Sequence, residues 1–282
     1  MKIKLWGTRG SLATPGADTM RYGGNTSCVE VRSRSGNVLV LDAGTGIYPL
    51  GRALEPLERL DVLLTHLHMD HIQGLGFFEP LFRPGLDVHI WGPESATLDL
   101  RGRLERYLSP PLFPVHLSDF RCHLSLHDVV RLEGFRIGDL EVSMARVIHP
   151  GPTVGYRISD GRVSMAYLPD HEPALGSGRI PGDPRWISGI QLARNVDLLI
   201  HDSQYTEDEY AEHVGWGHSS LAHVLEFAAI AKVKWLVAFH HDPGHSDRML
   251  DGIEARVAAR ADLPFRFALA REGETFQLDP GA

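Results

Sequence analysis

The chain predicts an α/β (α+β) fold of four layers, helix–sheet–sheet–helix, built as a single domain over residues 1–282. Three observations carry this expectation. Strand-like runs with Gly-rich turns open the chain, strands and helices alternate through its middle, and strands close it, an order that two mixed sheets covered by helices would satisfy. No internal repeat, low-complexity tract or linker divides the chain, and 43% hydrophobic against 23% charged content supplies a sizeable core. Finally, several of the 16 histidines stand at the ends of apolar runs, where strands give way to loops and binding residues collect.

In order, "IKLWG", "TSCVEVRS" and "NVLVLDAG" read as a strand meander with a turn at "SGN". A short helix "YPLGRALEP" ends at Pro56, the buried strand "DVLLTH" follows, and a helix opens near Asp70 and runs through "HIQGLGFFEPLF". The strand "DVHIWG" precedes a helical pattern, "SATLDLRGRLERYL", which "SPPLFP" stops because proline removes a donor and restricts the residue before it. The segment at about 94–128 is read as an inserted lid or dimer contact on its prolines and aromatics. Strands return in "EGFRIGDLEVSMARVIH", "VGYRIS" and "RVSMAYLPD", followed by a Pro/Gly-rich loop, "HEPALGSGRIPGDP". The strand "DLLIHD", a helix in "SLAHVLEFAAIAKV", the strand "KWLVAFHH", a helix near "DRMLDGIEARVAARA" and two closing strands complete the order.

A net charge of −8, from 28 basic and 36 acidic residues, leaves no broad basic surface for non-specific contact with a nucleic-acid backbone. The N-terminal "MKIKLWGTRGS" has no apolar signal region, and no run approaches the roughly 18 apolar residues of a spanning helix. A cytoplasmic protein without membrane contact is therefore expected. Cys28 and Cys122 form no C-x-x-C pattern and are read as free thiols.

The densest chemistry lies in "THLHMDH", residues 65–71. His66 and His68 are two apart at a strand end and can point to one side, while Asp70 and His71 come from the turn that starts the next helix. Imidazole and carboxylate form the ligand set of zinc and similar divalent ions, and four such groups this close suggest two ions. The plainer alternative is a helix cap, with Asp70 accepting from helical amides. Other apolar strands end in the same residue types: His149 before "PGP", Asp170 after "VSMAYLP", and the pair His240 and His241 after "WLVAF".

With "LDAGTG", "IHPGPTVGYRI", "AYLPD", "LLIHDS", "GHSSLAHVLEFA" and "LVAFHHDP" following in order, the chain resembles the metallo-β-lactamase superfamily, and within it the branch of ribonuclease Z and the phosphoribosyl cyclic phosphodiesterases. The resemblance implies one ion held by His66, His68 and His149, a second by Asp70, His71 and His240, and Asp170 bridging both. Asp42 matches an aspartate that supports the ligand loop, and His241 is an alternative to His240. His218 of "GHSS" and Asp202 of "IHDSQ" match the family's proton-donating histidine and its acidic partner, so His218, Asp202 and Asp70 are the implied catalytic residues. His171 and His245 lie beside motif residues, within reach of substrate. The resemblance also places Arg9 and Asn25 near the site edge, where their Gly-rich turns could offer amides to a phosphate.

Two divalent ions can share a hydroxide that attacks a phosphodiester clamped between them. Zinc is the first expectation for the two ions, with manganese or iron suiting the same ligands. The expected function is a metal-dependent hydrolase acting on a small, possibly cyclic, phosphodiester. A carboxylic ester, lactone or thioester hydrolase is the alternative, and a non-catalytic metal-binding sensor a further one. Transfer RNA is not an expected partner, because only the short "PGPTVGYRISDGRVSMAYL" separates His149 from Asp170, where ribonuclease Z carries an arm. A homodimer is implied by resemblance alone.

Overall fold

The computed structural model describes residues 1–129, 134–175 and 178–281. Glu133, where the sequence predicts a strand to begin, and Gly176 and Ser177 of the predicted Pro/Gly-rich loop lie outside the described residues. The first half comprises β1 (Lys2–Gly7), β2 (Cys28–Arg32), β3 (Val38–Leu41), α1 (Ile47–Ala53), β4 (Arg59–Leu63), α2 (Met69–Ile72), β5 (Asp87–Pro93), α3 (Leu100–Leu104) and β6 (His123–Val129). There follow β7 (Phe135–Ile137), β8 (Leu140–Arg146), β9 (Val154–Ser159), β10 (Ser164–Leu168), α4 (Ile190–Ala193), β11 (Leu198–Asp202) and α5 (Glu207–Glu212). The chain closes with α6 (Leu221–Ala231), β12 (Trp235–Phe239), α7 (Asp247–Ala258), β13 (Arg266–Leu269) and β14 (Thr275–Gln277).

Among the described residues these strands form two seven-stranded sheets, ordered β14-β1-β2-β3-β4-β5-β6 and β13-β12-β11-β10-β9-β8-β7. Side-chain alternation sorts the core into three apolar layers. In β3, Leu39 and Leu41 point between the sheets, whereas Val38 and Val40 point outward beneath α1. In β11, Leu198 and Ile200 share the inter-sheet layer while Leu199 packs under α6. Helix α6 starts at Ser220, whose side chain accepts from the His223 amide, and buries Leu221, Val224, Leu225, Phe227 and Ala228 at helical spacing. It stops at Lys232, which takes a left-handed conformation with φ 55°. The result is the four-layer αββα sandwich that the sequence predicts.

The direction of the strands decides where chemistry can gather. β3, β4 and β5 are parallel, as are β10, β11 and β12, and β8 runs antiparallel to β9, which is antiparallel to β10. The carboxyl ends of β3, β4, β8, β10, β11 and β12 therefore reach the same edge of the sandwich. These ends carry or precede Asp42, His66, His149, Asp170, Asp202 and His240.

Several elements differ from the sequence reading. The helix predicted from Asp70 to Phe82 is one α-helical turn followed by two short 3₁₀ turns at Leu75–Phe77 and Glu79–Phe82. Gly74, Gly76 and Pro80 explain the breaks, since glycine is poorly helical and proline lacks a donor. Likewise the helix predicted over 95–108 narrows to α3, capped by Asp99, which accepts from the Gly102 amide. His123–Val129, inside the segment read as an insertion, forms strand β6 parallel to β5. No helix among the described residues is long and apolar enough to cross a membrane.

Candidate metal centre

All seven residues expected to hold metal converge at this edge. Asp170 is buried between two groups of imidazoles. Its Oδ1 lies 2.9 Å from His71 Nε2 and 3.3 Å from His240 Nε2, and its Oδ2 lies 3.6 Å from both His66 Nε2 and His149 Nε2. On one side His149 Nε2 sits 3.1 Å from His68 Nδ1. On the other, Asp70 Oδ2 is 3.2 Å from His240 Nε2 and 3.3 Å from His71 Nε2. His66, His68, His149 and Asp170 form one group of four whose ligand atoms lie within 4.8 Å of one another, and Asp70, His71, Asp170 and His240 form a second. Asp170 belongs to both.

Around the cluster, hydrogen bonds fix which ring nitrogen faces inward. Asp42 Oδ2 accepts from His71 Nδ1 at 2.8 Å, and the carboxylate also takes the Thr65 amide, the Thr65 hydroxyl and the Tyr167 hydroxyl. The Thr65 oxygen accepts from His66 Nδ1 at 3.1 Å. His149 Nδ1 donates to Gly217 O at 2.8 Å, and His240 Nδ1 donates to Gln204 Oε1 at 3.0 Å. Each of these four imidazoles thus turns an Nε2 lone pair toward the centre. Asp42 and His240 both hold left-handed backbone, with φ 58° and 64°, conformations that non-glycine residues keep only where surrounding contacts over-determine them.

Two glycines permit the close approach. A Cβ on Gly10 would lie 2.4 Å from His240 Nδ1, and one on Gly217, whose φ is 92°, would lie 2.3 Å from His149 Nδ1. Any side chain at either position would push a ring out of the cluster.

The donor set fits divalent ions. His66 Nε2 and Asp170 Oδ1 are buried with no hydrogen-bond partner, which is costly unless something else satisfies them. His71 Nε2 and His240 Nε2 face each other at 3.3 Å although each ring already donates through Nδ1. Two lone pairs held that close repel unless a cation lies between them. Burial opposes protonation of His71, but the Asp170, Asp70 and Asp42 carboxylates outweigh it and hold its pKa well above the ordinary range. Burial would raise Asp170, yet His240, His71 and His66 draw it well below the usual carboxylate range. Positive charge is what this arrangement favours.

His218 stands beside the cluster. Its Nδ1 donates to Asp202 Oδ2 at 2.7 Å and lies 3.9 Å from Asp170 Oδ2, while its ring stacks on His240 with centroids 5.0 Å apart. Asp202 is held by the amides of His171, Gln204 and Ser219. Its short side chain reaches the imidazole directly. Burial would lower the His218 pKa, but Asp202 first, then Asp170 and Asp70, raise it to about 9.

Other expected contacts turn elsewhere. His241 Nε2 bonds Ala270 O at 2.8 Å, away from the centre, and burial pushes its pKa down to about 3. The His171 ring pairs with His201 at 2.9 Å in the core, and His245 bonds Glu209 at 3.0 Å. Arg9 is fully buried, donating to the carbonyls of Gly23, Asp242 and His245, and Asn25 bonds Glu272. The amides of Arg9, Gly10 and Ser11 are spent on Asn25 O, His241 O and Asp70 Oδ2, so this turn braces the ligand loops and has no amides left for a phosphate. Thr65, Gln204, Gly10 and Gly217 were not legible as site residues, because only tertiary approach brings them there.

Asp42→Asn tolerates the left-handed backbone but removes the charge behind His71 and replaces one accepting oxygen by a donating amide group. Metal affinity should fall about 10- to 100-fold, as read by competition with a chromogenic chelator.

A family model described as "Beta-lactamase superfamily domain" matches residues 37–241. The chain is 24% identical to a ribonuclease Z of Thermococcus onnurineus, over 86% of each chain. Among solved structures it is similar to the metallo-beta-lactamase fold protein YhfI from Bacillus subtilis, with TM-score 0.70 and 20% identity over 98% of this chain and 99% of that one. It is also similar to the short form of human tRNase Z, with TM-score 0.68 and 19% identity over 99% and 100%. These likenesses overturn the expectation that transfer RNA is not a partner. The short β9–β10 hairpin between His149 and Asp170 rules out an arm at that one place only. A net charge summed over the whole chain likewise does not describe one face.

Proposed function

Because the chain belongs to the beta-lactamase superfamily, we propose that this edge holds two divalent metal ions and hydrolyses phosphodiester bonds. His66, His68 and His149 would hold one ion, Asp70, His71 and His240 the other, with Asp170 between them. Bound there, such ions would supply an activated water and neutralise charge on the phosphate. The chain's own residues do the rest. Asp42, Thr65, Gly217 and Gln204 orient the four rings that they bond. His218 keeps its Nδ1 proton on Asp202 and, when charged, can give its Nε2 proton to the departing oxygen, while Asp202 keeps that imidazole charged and oriented.

The likeness to ribonuclease Z supports the choice of phosphodiesters over carboxylic esters, lactones and thioesters, and the His218–Asp202 pair at 2.7 Å supplies the proton donor such a reaction uses. The alcohol displaced from a phosphodiester departs as a strongly basic alkoxide, which needs a proton donor in place. The test is a screen of purified protein against bis-p-nitrophenyl phosphate, linear and cyclic nucleotide diesters, an RNA with a 3′ extension, and a panel of lactones and thioesters. Turnover of diesters is expected; turnover confined to lactones or thioesters would sink the reading. Elemental analysis of chelator-free protein should find two divalent ions per chain, zinc foremost, and prolonged chelation should abolish diester hydrolysis.

A further inference from the structure

A cleft of about 590 Å³ opens at the same edge, between the ends of β5 and β6 on one sheet and of β8 and β9 on the other. None of the metal-centre residues lines it. The two are nevertheless neighbours, since the Val154 amide in the cleft wall donates to Thr65 O at 3.0 Å, next to His66. Its walls combine apolar surface from Met144 and Pro152 with the polar side chains of Arg146, Thr153, Gln191 and Glu94.

Two of these side chains lack partners. Thr153 is 3% exposed and its hydroxyl has no hydrogen-bond partner, an expensive state for a buried donor. Arg146 is exposed and, among the described residues, its side chain makes no hydrogen bond, ion pair or ring contact. In a chain of net charge −8, a free guanidinium in a cleft forms a local anion trap whose planar fork suits phosphate. The volume is that of a small-molecule site, and Glu94 and Gln191 add acceptors for hydroxyl or amino groups.

We propose that this cleft binds the nucleotide flanking the scissile bond, with Arg146 and Thr153 holding a second phosphate of that nucleotide; the inference rests on the phosphodiesterase reading. Calorimetric titration of the metal-loaded protein with adenosine 3′,5′-bisphosphate tests it. Arg146→Gln should weaken binding about tenfold or more, the effect of losing a charge-assisted hydrogen bond, and the nearly isosteric Thr153→Val should weaken it severalfold. No binding by the wild type, or dissociation constants within twofold in both variants, would overturn the proposal. Hydrolysis of bis-p-nitrophenyl phosphate by the wild type, run in parallel, reports on the phosphodiesterase reading separately. Absence of turnover on every diester of the screen removes that reading, while the calorimetry still decides whether the cleft takes a nucleotide phosphate.

Discussion

Asp170→Asn should lose both ions together. The substitution keeps the shape of the side chain and removes the one charge shared by the two halves of the cluster, where Oδ1 faces His71 and His240 and Oδ2 faces His66 and His149. Removing one partner from a buried set of opposite charges costs about 3–5 kcal/mol, equivalent to about 10²- to 10⁴-fold in metal affinity. Metal content after dialysis should fall from two ions per chain to near none, with hydrolysis falling at least in proportion. Thermal unfolding supplies an independent reading. Ligands that bind only the folded state stabilise it by mass action, so a chelator should lower the wild-type Tm and leave that of Asp170→Asn unmoved. A variant that retained both ions would show that Asp170 is not the bridge.

How much of this centre the sequence disclosed follows from the range of each interaction. His66, His68, Asp70 and His71 are legible because four ligating side chains fall within six positions after an apolar strand. His149, Asp170 and His240 are legible as strand ends, because parallel strands deliver their carboxyl ends to one edge. The residues that orient them are not. Gln204 bonds His240 across 36 positions and Gly217 bonds His149 across 68, and neither has a local pattern that announces it. Gly10 shows only as one of many glycines until the His240 ring is placed against it. At the level of the fold, the helix after Asp70 misled because its apolar run is helical in period but broken by Gly74, Gly76 and Pro80. Strand β6 was missed although "HLSLHDV" alternates, because it follows the proline- and aromatic-rich stretch read as an insertion and lies half-exposed at a sheet edge.

His218→Ala should leave both ions bound while lowering turnover of poor-leaving-group diesters about 10²- to 10⁴-fold, the usual worth of general acid catalysis. The loss should shrink with p-nitrophenyl diesters, whose leaving oxygen departs without a proton. That contrast separates proton donation from mere packing against His240. The pH dependence gives the sign. His218 has an ordinary value of 6.5 that Asp202 and the cluster carboxylates raise to about 9 against the pull of burial. The raised value means the charged form stabilises the fold fully below 6.5, and that contribution is lost as pH rises through about 9. As a proton donor the imidazolium is the active form, so turnover should decline on the alkaline side of the His218 pKa, which bound cations would hold below the metal-free value of about 9. Asp202→Asn removes the largest cause of the elevation, so the alkaline decline should move to lower pH, with the metal content unchanged. Asp202→Glu restores the charge and should restore the limb. An alkaline limb that stays fixed in Asp202→Asn, or an equal loss on good and poor leaving groups in His218→Ala, would remove the pair from proton transfer and leave it a scaffold for His240.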